Sequence, residues 1–513
     1  MKVLLIRPDP GNERFGLGPF FKVEPLGLEY AAAALRARGH DPVVVEERFE
    51  GRPVSWLRRH QAPVVGISCL HALEYDRVLE VARQVRRALP EAFIVIGGAA
   101  AAAWSAPLEG EAADAIVTDD GEVILPLLVE AIAKRTPLRE VPGLRLRTPE
   151  GWVVTASPAD RVDLDAVPAP ARDLVDRYRS RYQCLLFRPV WLVETARGCP
   201  FRCSFCSVWP LYGRSFRERS IGAVVEDIVS AGPHLFIVDD LFWHHPERSR
   251  ELAAALKARG VRKRWILVQT RTDLAAAHPD LLEAWRPLAQ DFDIFFGLEA
   301  PSDEGLARVR KDALVSESVQ AAEVARALRY GVTGNFVVDP DWGEEEFEAL
   351  RAFVTEHRFE RAGYTILTPL PGTALYDDFA ARGGGGGPWF RYDMHHALWE
   401  PRLGAARFFH LYAETWRRSI LNLGGRKRWR DWAAQVRLRD LPALYGVLRR
   451  TQRMMRAGEY LAEHTSRSLA PAAGGLEGAE AAPHAAGNLE VGARLAAAAR
   501  EIAQSPAGPR GLR

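Results

Sequence analysis

Net charge and cysteine are both scarce in this chain, and each scarcity excludes a class of protein. The formal net charge of the 513 residues is only +2, which argues against a protein that binds nucleic acid through its overall charge. The five cysteines argue against a secreted disulfide framework and favour the reducing cytosol. No apolar run of roughly 18 residues occurs, and no long apolar segment follows Met1, so we expect neither a membrane span nor a signal peptide. The sequence predicts a soluble cytoplasmic protein.

The first part of the chain alternates strand and helix patterns. Short β-branched runs are separated by helical stretches such as Pro25–Arg38, Tyr75–Leu89 and Val123–Ala133. Alternation at this spacing predicts an α/β fold with a doubly wound parallel sheet that is covered by helices on both faces. The predicted strands are Met1–Arg7, Pro42–Glu46, Pro63–Ser68, Phe93–Gly97 and Ala115–Thr118.

Small or polar residues follow several of these strands. Sheets of this kind bind ligands at the carboxyl ends of their strands, which makes Ser68, Gly97, Gly98 and Glu122 candidate ligand-binding residues. The paired glycines let a ligand approach the backbone closely. No G-x-G-x-x-G sequence follows the first strand, so the fingerprint of a dinucleotide site is missing.

The segment Thr148–Arg161 predicts a short hairpin. A second strand–helix alternation begins near residue 190, after a proline-rich segment, Asp163–Ala171, that we expect to act as a linker. Its six strands indicate a partial barrel, whose active site would lie at the carboxyl ends of the strands. Asp239, Asp240, Arg271 and Glu299 follow strands and are candidates, although an acid there can also cap the next helix. The predicted strands are Val190–Thr195, Leu235–Val238, Trp265–Gln269, Ile294–Leu298, Gly334–Val338 and Tyr364–Thr368.

Three of the five cysteines, Cys199, Cys203 and Cys206, lie in one loop with the spacing C-x3-C-x2-C. Three thiolates at this spacing can hold three irons of a four-iron, four-sulfur cluster and leave the fourth iron open for substrate. Unrelated thiols or part of a zinc site are the alternatives, but zinc would need a fourth ligand and usually uses C-x2-C pairs. We expect Cys69 to fill the core and Cys184 to be structural.

The cysteine loop, with Phe205 as its aromatic residue, resembles the cluster loop of radical S-adenosylmethionine (SAM) enzymes. The segments Pro25–Leu28, Gly66–Ser68, Gly97–Gly98 and Gly121–Glu122 resemble the cobalamin-binding domain that precedes many radical SAM domains. The whole order is similar to the cobalamin-dependent (class B) radical SAM methyltransferases. That resemblance implies a Rossmann-like cobalamin domain over 1–145, a linker over 146–189, a partial (β/α)6 radical SAM barrel over 190–385, a helical region over 386–465 and a disordered tail over 466–513.

The resemblance also implies three cofactors and their ligands. Cys199, Cys203 and Cys206 would hold a [4Fe–4S] cluster, and Ser68, Gly97, Gly98 and Glu122 would contact cobalamin. Asp239, Asp240, Arg271 and Glu299 would surround SAM, where the arginine suits the SAM carboxylate. No D-x-H-x-x-G motif occurs, so the cobalt would have no protein histidine below it. We expect His71 to be a polar loop residue rather than a ligand.

Within this family the chain most resembles the hopanoid C-3 methylases. The similarity lies in Val23–Glu29, Asp339–Trp342, Thr368–Thr373 and Tyr392–Pro401. It implies that methyl passes from SAM through methylcobalamin to an unactivated carbon of a lipid-like substrate, and that a protein supplies electrons. Two other functions stay open, a tetrapyrrole-type cyclase or oxidoreductase and a non-catalytic cobalamin-binding sensor.

The carboxyl-terminal region is basic and aromatic. Residues 401–460 contain 14 Lys or Arg against 4 Asp or Glu, interleaved with aromatic residues. Such a composition favours either contact with an anionic membrane surface or a helical cap whose basic face is solvated. A nucleic-acid patch is a third and weaker alternative, because no known binding module accompanies it. The neighbouring His395 and His396 follow Asp393, and we expect them to contact substrate or to pack rather than to bind a metal.

Overall fold

The computed structural model of the chain describes residues 1–10, 15, 18, 21–51, 53–158, 161–185, 187–359, 361–421 and 441–464. All of these residues belong to one compact unit, Met1–Ala470. The tail predicted to be disordered, 466–513, lies outside the described residues, and so do Trp429 and Trp432 of the basic region.

The amino-terminal part of the chain forms a seven-stranded sheet. Its strands are β1 (Lys2–Arg7), β2 (Asp41–Glu46), β3 (Val64–Ser68), β4 (Phe93–Gly97), β5 (Ala115–Val117), β6 (Leu144–Thr148) and β7 (Gly151–Val154). They lie in the order β2-β1-β3-β4-β5-β6-β7, and the first five are parallel. The order reverses on either side of β1, which is the topological switch point of a doubly wound sheet. The predicted doubly wound α/β fold is confirmed.

Six helices accompany this sheet in the described residues, namely α1 (Leu26–Ala37), α2 (Glu47–Glu50), α3 (Pro53–His60), α4 (Tyr75–Ala88), α5 (Ala99–Ala103) and α6 (Gly121–Lys134). Alternate residues of β1 face opposite sides. Val3 and Leu5 pack with α1 and α6, whereas Leu4 and Ile6 pack on the side of α3 and α4. Because both faces are buried, the strands are continuous apolar runs, as parallel strands usually are.

The last two strands of this sheet differ from the sequence prediction. A hairpin was expected from Thr148 onward, but it begins at Leu144 and pairs antiparallel with β5. In β6 the leucines are buried, whereas Arg145 and Arg147 are more exposed. This alternation is typical of a strand with only one covered face, and the arginines obscured it in the sequence.

A second, all-parallel sheet forms the partial barrel that was predicted. Its strands are β8 (Trp191–Val193), β9 (His234–Ile237), β10 (Lys263–Thr270), β11 (Ala289–Glu299), β12 (Gly331–Val338) and β13 (Ala362–Ile366), in that order across the sheet. The helices between them are α7 (Val208–Tyr212), α8 (Ile221–Ser230), α9 (Pro246–Ala258), α10 (Thr272–Ala277), α11 (Pro279–Trp285), α12 (Asp303–Arg308), α13 (Val315–Ala327) and α14 (Glu344–Glu356). Helix α15 (Ala374–Ala381) follows the last strand.

In the part of the chain that the structure describes, three further helices follow α15, namely α16 (Ala405–Leu421), α17 (Leu441–Met454) and α18 (Ala457–Leu461). Phe408, Phe409 and Tyr412 of α16 are buried in the barrel core, so this helix is a cap on the barrel. On α17, by contrast, three apolar side chains are exposed, those of Leu441, Tyr445 and Leu448. Among the described residues, none of the helices combines the length and hydrophobicity that a transmembrane span requires.

Candidate active site

The cysteine loop begins at a short antiparallel ribbon between Ala196–Gly198 and Phe216–Glu218. Gly198 has a φ of +100°, and a Cβ atom there would lie 2.2 Å from the carbonyl oxygen of Ser215. Glycine tolerates both the left-handed backbone and the close approach. Gly198 therefore fixes the direction in which the chain enters the loop just before Cys199.

The three cysteines of the loop are largely withdrawn from water. Cys203 is buried, and Cys199 and Cys206 are half-buried. The backbone carbonyl of Cys203 accepts hydrogen bonds from the N–H of Cys206 at 3.2 Å and from Nε1 of Trp209 at 2.9 Å. Burial raises the pKa of Cys206 to about 12 and also raises the pKa values of Cys199 and Cys203. A metal that binds these thiols must therefore displace their protons.

The donor set of the loop fits an iron–sulfur cluster. Three thiols share one short loop, and the cationic groups of Lys311 and Arg271 lie near Cys203 and partly oppose the effect of burial on its pKa. Among the described residues, no three His, Cys, Asp or Glu side chains surround a position for a single metal ion. That criterion concerns mononuclear sites, whereas in a four-iron cluster each thiolate binds a different iron.

Arg271, a predicted contact of the SAM carboxylate, lies against the cysteine loop. Its guanidinium carbon is 3.6 Å from the ring centroid of Phe201. Its Nη2 donates to the carbonyl of Asp312 at 2.6 Å, and its Nε donates to the carboxylate of Asp273 at 3.0 Å. Stacking and hydrogen bonds together hold the guanidinium plane beside the loop. Its contact with SAM stays a prediction.

Asp239 and Asp240 lie just past the end of β9, where Asp239 is buried and Asp240 is half-buried, and they have different partners. Both oxygens of Asp239 accept hydrogen bonds from Thr195, one from the backbone N–H at 2.6 Å and one from the hydroxyl group. Asp240 accepts a hydrogen bond of 3.2 Å from the backbone N–H of Gly198. Burial raises the pKa of Asp239 to about 7 and that of Asp240 to about 6. Both aspartates thus hold the start of the cysteine loop, and their contacts with SAM stay predictions.

Glu299 ends β11 in an unusual conformation, with a φ of +60°. Its Oε1 accepts a hydrogen bond of 2.9 Å from Nζ of Lys311, and both side chains are buried. Although burial lowers the pKa of Lys311, the charge of Glu299 outweighs this effect, so the pKa is raised and the lysine is charged. Lys311 was not among the residues predicted from the sequence, and its only signal there was its position past a barrel strand.

The carboxyl ends of β3 and β4 adjoin each other, with Ser68 paired to Gly97. Gly98 has a φ of +114°, and a Cβ atom there would lie 2.5 Å from the carbonyl oxygen of Cys69. Ser68, Gly97 and Gly98 therefore form an edge with few bulky side chains near the switch point of the sheet, which suits a large planar ligand. Cys69 is buried in the core, and His71 is exposed.

Glu122 lies at the start of α6, where its Oε1 accepts a hydrogen bond of 2.7 Å from Nη1 of Arg197. Arg197 directly precedes Gly198 and Cys199, so this bond links the first sheet to the cysteine loop. The contact of Glu122 with cobalamin stays a prediction. Arg197 is not recognisable as its partner in the sequence, because the two residues are 75 positions apart in the chain.

The carboxyl ends of the strands in the first sheet also lie close to those of the barrel strands. Helix α5 packs against α7, the helix that carries Trp209 and Tyr212. A Cβ atom on Gly372, in the P-L-P-G-T turn, would lie 2.9 Å from the carbonyl oxygen of Ala103. The ring centroids of Trp104 and Tyr376 are 4.3 Å apart. The predicted cobalamin and cluster regions therefore adjoin.

His395 and His396 have separate partners. Nδ1 of His396 lies 2.9 Å from Oδ1 of Asp393, and its Nε2 lies 3.1 Å from Oε2 of Glu463. Nδ1 of His395 lies 3.1 Å from the hydroxyl of Tyr412. These contacts tie the loop after the barrel to the segment that follows α18. They favour packing, one of the two expected roles, over a metal site.

Comparison with known proteins assigns the chain to a family. The model of the "Radical SAM superfamily" matches residues 193–354, and that of the "B12 binding domain" matches residues 19–129. The chain is 33% identical over 416 residues to the hopanoid C-3 methylase of Methylococcus capsulatus, which covers 80% of this chain and 78% of that protein. The chain belongs to the cobalamin-dependent radical SAM methyltransferases.

Two further likenesses each extend over about three quarters of this chain. It is 26% identical over 404 residues to the anaerobic magnesium-protoporphyrin IX monomethyl ester cyclase of Cereibacter sphaeroides, covering 74% of this chain and 63% of that one. The solved structure of TsrM from Kitasatospora setae, with cobalamin and a [4Fe-4S] cluster bound, has a TM-score of 0.60. It is 19% identical and covers 75% of this chain and 79% of that one, so the likeness is one of fold.

The cofactors of this methyltransferase are a [4Fe–4S] cluster, SAM and cobalamin. The family assignment confirms the enzyme class that the sequence predicted, and it removes the non-catalytic sensor as an alternative. Which residues hold each cofactor stays a prediction. The residues that fit are the three loop thiols for the cluster and the edge at Ser68, Gly97 and Gly98 for cobalamin.

Proposed function

We propose that this methyltransferase moves a methyl group from SAM, by way of cobalamin, to an unactivated carbon of a lipid, and that this carbon is C-3 of a hopanoid. The observation that carries the proposal is the likeness to hopanoid C-3 methylase, which extends over most of both chains. When bound, the cluster and SAM supply a radical that removes hydrogen from carbon, and cobalamin supplies the methyl group.

The protein's own side chains would place these groups and exclude water. Cys199, Cys203 and Cys206 would ligate three irons, and Arg271 would bind the SAM carboxylate because its planar fork matches a carboxylate. Asp240 and Glu299 would lie on the SAM side of the barrel. Apart from the three cysteines, none of these groups needs to transfer a proton or form a bond.

A buried cluster of side chains between the two sheets supports an apolar substrate. Aromatic side chains from both parts of the chain meet there in one buried cluster, which also contains Cys69 and Ala100. The indole of Trp389 meets the ring of Tyr75 edge-on at 4.9 Å. A polycyclic hydrocarbon skeleton that bound against this cluster would gain dispersion contacts and would remove its own apolar surface from water. The buried aromatic members are Trp56, Tyr75, Tyr376, Phe379, Tyr392 and Trp399.

We further propose that α17 rests on an anionic membrane surface from which the substrate is drawn. Leu441, Tyr445 and Leu448 are 47%, 67% and 49% exposed and recur at helical spacing, so they form one apolar stripe. Arg449 and Arg456 lie close by in the sequence and are exposed. An apolar stripe beside arginines is the arrangement of an interfacial helix. The enzyme would then act at the inner face of the membrane.

Binding to liposomes tests the membrane contact. The variant with Leu441, Tyr445 and Leu448 changed to Gln should bind vesicles containing anionic lipid more weakly than the parent. Leu314→Gln is the matched control, because Leu314 is 52% exposed and lies in the barrel. Two results would contradict the proposal. One is equal binding of all three proteins to the anionic vesicles, and the other is binding of the parent protein to neutral vesicles as strongly as to anionic ones.

Lipid analysis tests the reaction. Anaerobic expression with added cobalamin in a hopanoid-producing host should give a hopanoid heavier by one CH2 unit, and the Cys203→Ala variant should give none. A protein that cleaves SAM under reducing conditions yet leaves the hopanoids unchanged would keep the family chemistry and exclude this substrate. Electrons would come from a reducing donor protein, whose identity this experiment does not require.

The second candidate is a cyclase or oxidoreductase of the tetrapyrrole type. The likeness to the magnesium-protoporphyrin cyclase supports it, although the identity is lower. Product mass separates the two reactions, because methyl transfer adds a CH2 unit and ring formation removes hydrogen. Incubation with magnesium-protoporphyrin IX monomethyl ester should leave that compound unchanged if the methyl-transfer proposal is right.

A further inference from the structure

A buried charge network connects the two parts of the site. At its centre the Nη1 of Arg197 donates to Oδ1 of Asp120 and to Oε1 of Glu122, each at 2.7 Å. The other side of the same guanidinium binds Glu194, with Nη2 to Oε2 at 2.8 Å and Nε to Oε1 at 3.1 Å. The Arg197 side chain is only 9% exposed. One residue thus binds carboxylates from both sheets.

The position of Arg197 shows which two parts of the site the network connects. It lies in the middle of the ribbon Ala196–Gly198, two residues before Cys199, and this ribbon is fixed by the backbone of Gly198. Asp120 and Glu122 follow β5, at the same end of the first sheet as Ser68 and Gly97. The network therefore joins the start of the cluster loop to the edge that suits cobalamin.

The charges of the network make it a rigid connection. Arg217 donates to both oxygens of Asp120, at 2.9 Å and 3.3 Å, so this carboxylate is held by two arginines. Although burial raises the pKa of Asp120, the hydrogen bond from Arg217 and the charge of Arg197 outweigh it and lower the pKa. Asp120 is thus ionised at neutral pH, and its charge-assisted hydrogen bonds are the strong kind. A lysine could not reproduce the fork that Arg197 uses.

We propose that Arg197 is a positioning residue that sets the distance between the iron–sulfur cluster and the cobalamin. It acts through the ribbon on one side and through Asp120 and Glu122 on the other, and it touches no reacting atom. In reactions between bound groups, a displacement of about 1 Å can lower a rate by roughly 100-fold. The proposal rests on the family chemistry and not on the identity of the lipid substrate.

The test uses the full-length protein loaded with cluster and cobalamin, and it needs no substrate. Pulsed EPR measures the dipolar coupling between the reduced cluster and Co(II) in cobalamin, and hence their distance and its spread. Arg197→Gln should keep iron and cobalamin but give a shifted or broader distance distribution. Arg197→Lys keeps the charge and should give an intermediate distribution.

Arg172→Gln is the matched control. Arg172 also makes buried ionic contacts, with Nη1 donating to Asp227 at 2.5 Å, but neither residue belongs to the cysteine loop or to the edge at Gly97. We expect this variant to lose stability and to keep the parental distance. A loss of stability alone would therefore not reproduce the result expected for Arg197→Gln.

Two outcomes overturn the proposal. The first is an Arg197→Gln protein that retains both cofactors and gives the parental distance distribution. The second is a change of the same size in the Arg172→Gln control. If Arg197→Gln does not fold, Asp120→Asn decides the question, because it removes the charge that Arg197 and Arg217 share. An unchanged distribution in that variant contradicts the proposal, and a broadened one supports it.

Discussion

The Nζ atom of Lys311 lies 2.9 Å from Oε1 of Glu299, and both side chains are less than a tenth exposed. A Cβ atom on Gly297 would lie 2.5 Å from Oε1 of Glu299 and 2.7 Å from Nζ of Lys311. The glycine of the Gly-Leu-Glu-Ala sequence thus leaves room for an ion pair that lies beside the cysteine loop. Because the pair is buried, removing either side chain leaves the charge of the other buried without its partner.

Removing one member of this pair should lower the free energy of unfolding. Lys311→Met leaves the carboxylate of Glu299 without its partner, and breaking a buried ion pair in this way costs about 3–5 kcal/mol of unfolding free energy. Denaturant unfolding of the cofactor-free protein measures the loss.

The exposed pair of Arg308 and Glu304, at 3.0 Å, is the control for this experiment. Both side chains are more than half exposed, so Arg308→Met should change the free energy by no more than about 1 kcal/mol. Similar losses in the two variants would show that burial does not govern the Lys311 pair.

Adding a methyl group at Gly198 should disrupt the cysteine loop. In Gly198→Ala the new Cβ would collide with the carbonyl of Ser215, so the ribbon must move. We expect a loss of about 1–3 kcal/mol, the usual cost of a strained backbone, together with less iron bound per chain. Gly222→Ala, in α8 with no atom within 4 Å of the added carbon, should be neutral or stabilising. Full iron binding by the Gly198 variant would contradict the prediction.

Cysteine-to-alanine variants should fall into two groups according to how much iron the protein still binds. Cys199→Ala, Cys203→Ala and Cys206→Ala should each reduce the bound iron and abolish formation of 5′-deoxyadenosine from SAM under reducing conditions. Cys184→Ala should keep both, because Cys184 is buried in a separate apolar cluster with Leu26 and Trp265. Iron analysis after anaerobic reconstitution checks this, and loss of iron in the Cys184 variant would refute the grouping.

Protonation of His396 should contribute to the pH dependence of the free energy of unfolding. Both ring nitrogens of His396 face carboxylates, and only the protonated ring can donate from both. Burial lowers the pKa of His396, but the hydrogen bonds to Asp393 and Glu463 outweigh it and raise the pKa. Its contribution to stability is therefore complete below the unfolded-state pKa of about 6.5 and is lost as the pH rises through the folded-state pKa.

Single variants test this assignment. His396→Gln should remove the part of the stability that falls with rising pH, as measured by denaturant unfolding across the neutral range. His395→Gln should act in the opposite sense, because burial lowers the pKa of His395. Its contribution is present above about pH 6.5 and is lost as the pH falls toward the lower folded-state pKa. Identical pH profiles for the two variants would contradict the assignment.

The parts of the structure that repeat were predictable from the sequence. The five parallel strands of the first sheet are nearly continuous apolar runs, and the six barrel strands of the described residues each contain a shorter apolar stretch. Hydrophobicity therefore identifies these strands without knowledge of their neighbours. The cysteine spacing likewise depends only on local sequence. Strand β6 was placed inaccurately, because Arg145 and Arg147 interrupt its apolar pattern.

The contacts that organise the site could not be predicted, because they join residues far apart in the chain. Asp239 stays a predicted contact of SAM, and its two hydrogen bonds to Thr195, 44 positions earlier, are not evident from the sequence. Arg197 looks like an ordinary basic residue, yet it binds two carboxylates about 75 positions earlier. Charge alone does not specify a partner when many residues of the opposite charge are available.

The buried cluster that joins Cys69 and Tyr75 to Tyr376, Phe379 and Trp399 has a consequence for modularity. A hydrophobic core shared by two sheets cannot be divided at the segment between them without exposing aromatic surface on both pieces. Chimaeras that exchange only the first 189 residues between relatives should therefore aggregate. Exchanges that also transfer residues 367–399 should remain soluble, so the exchangeable unit of this enzyme is not contiguous in sequence.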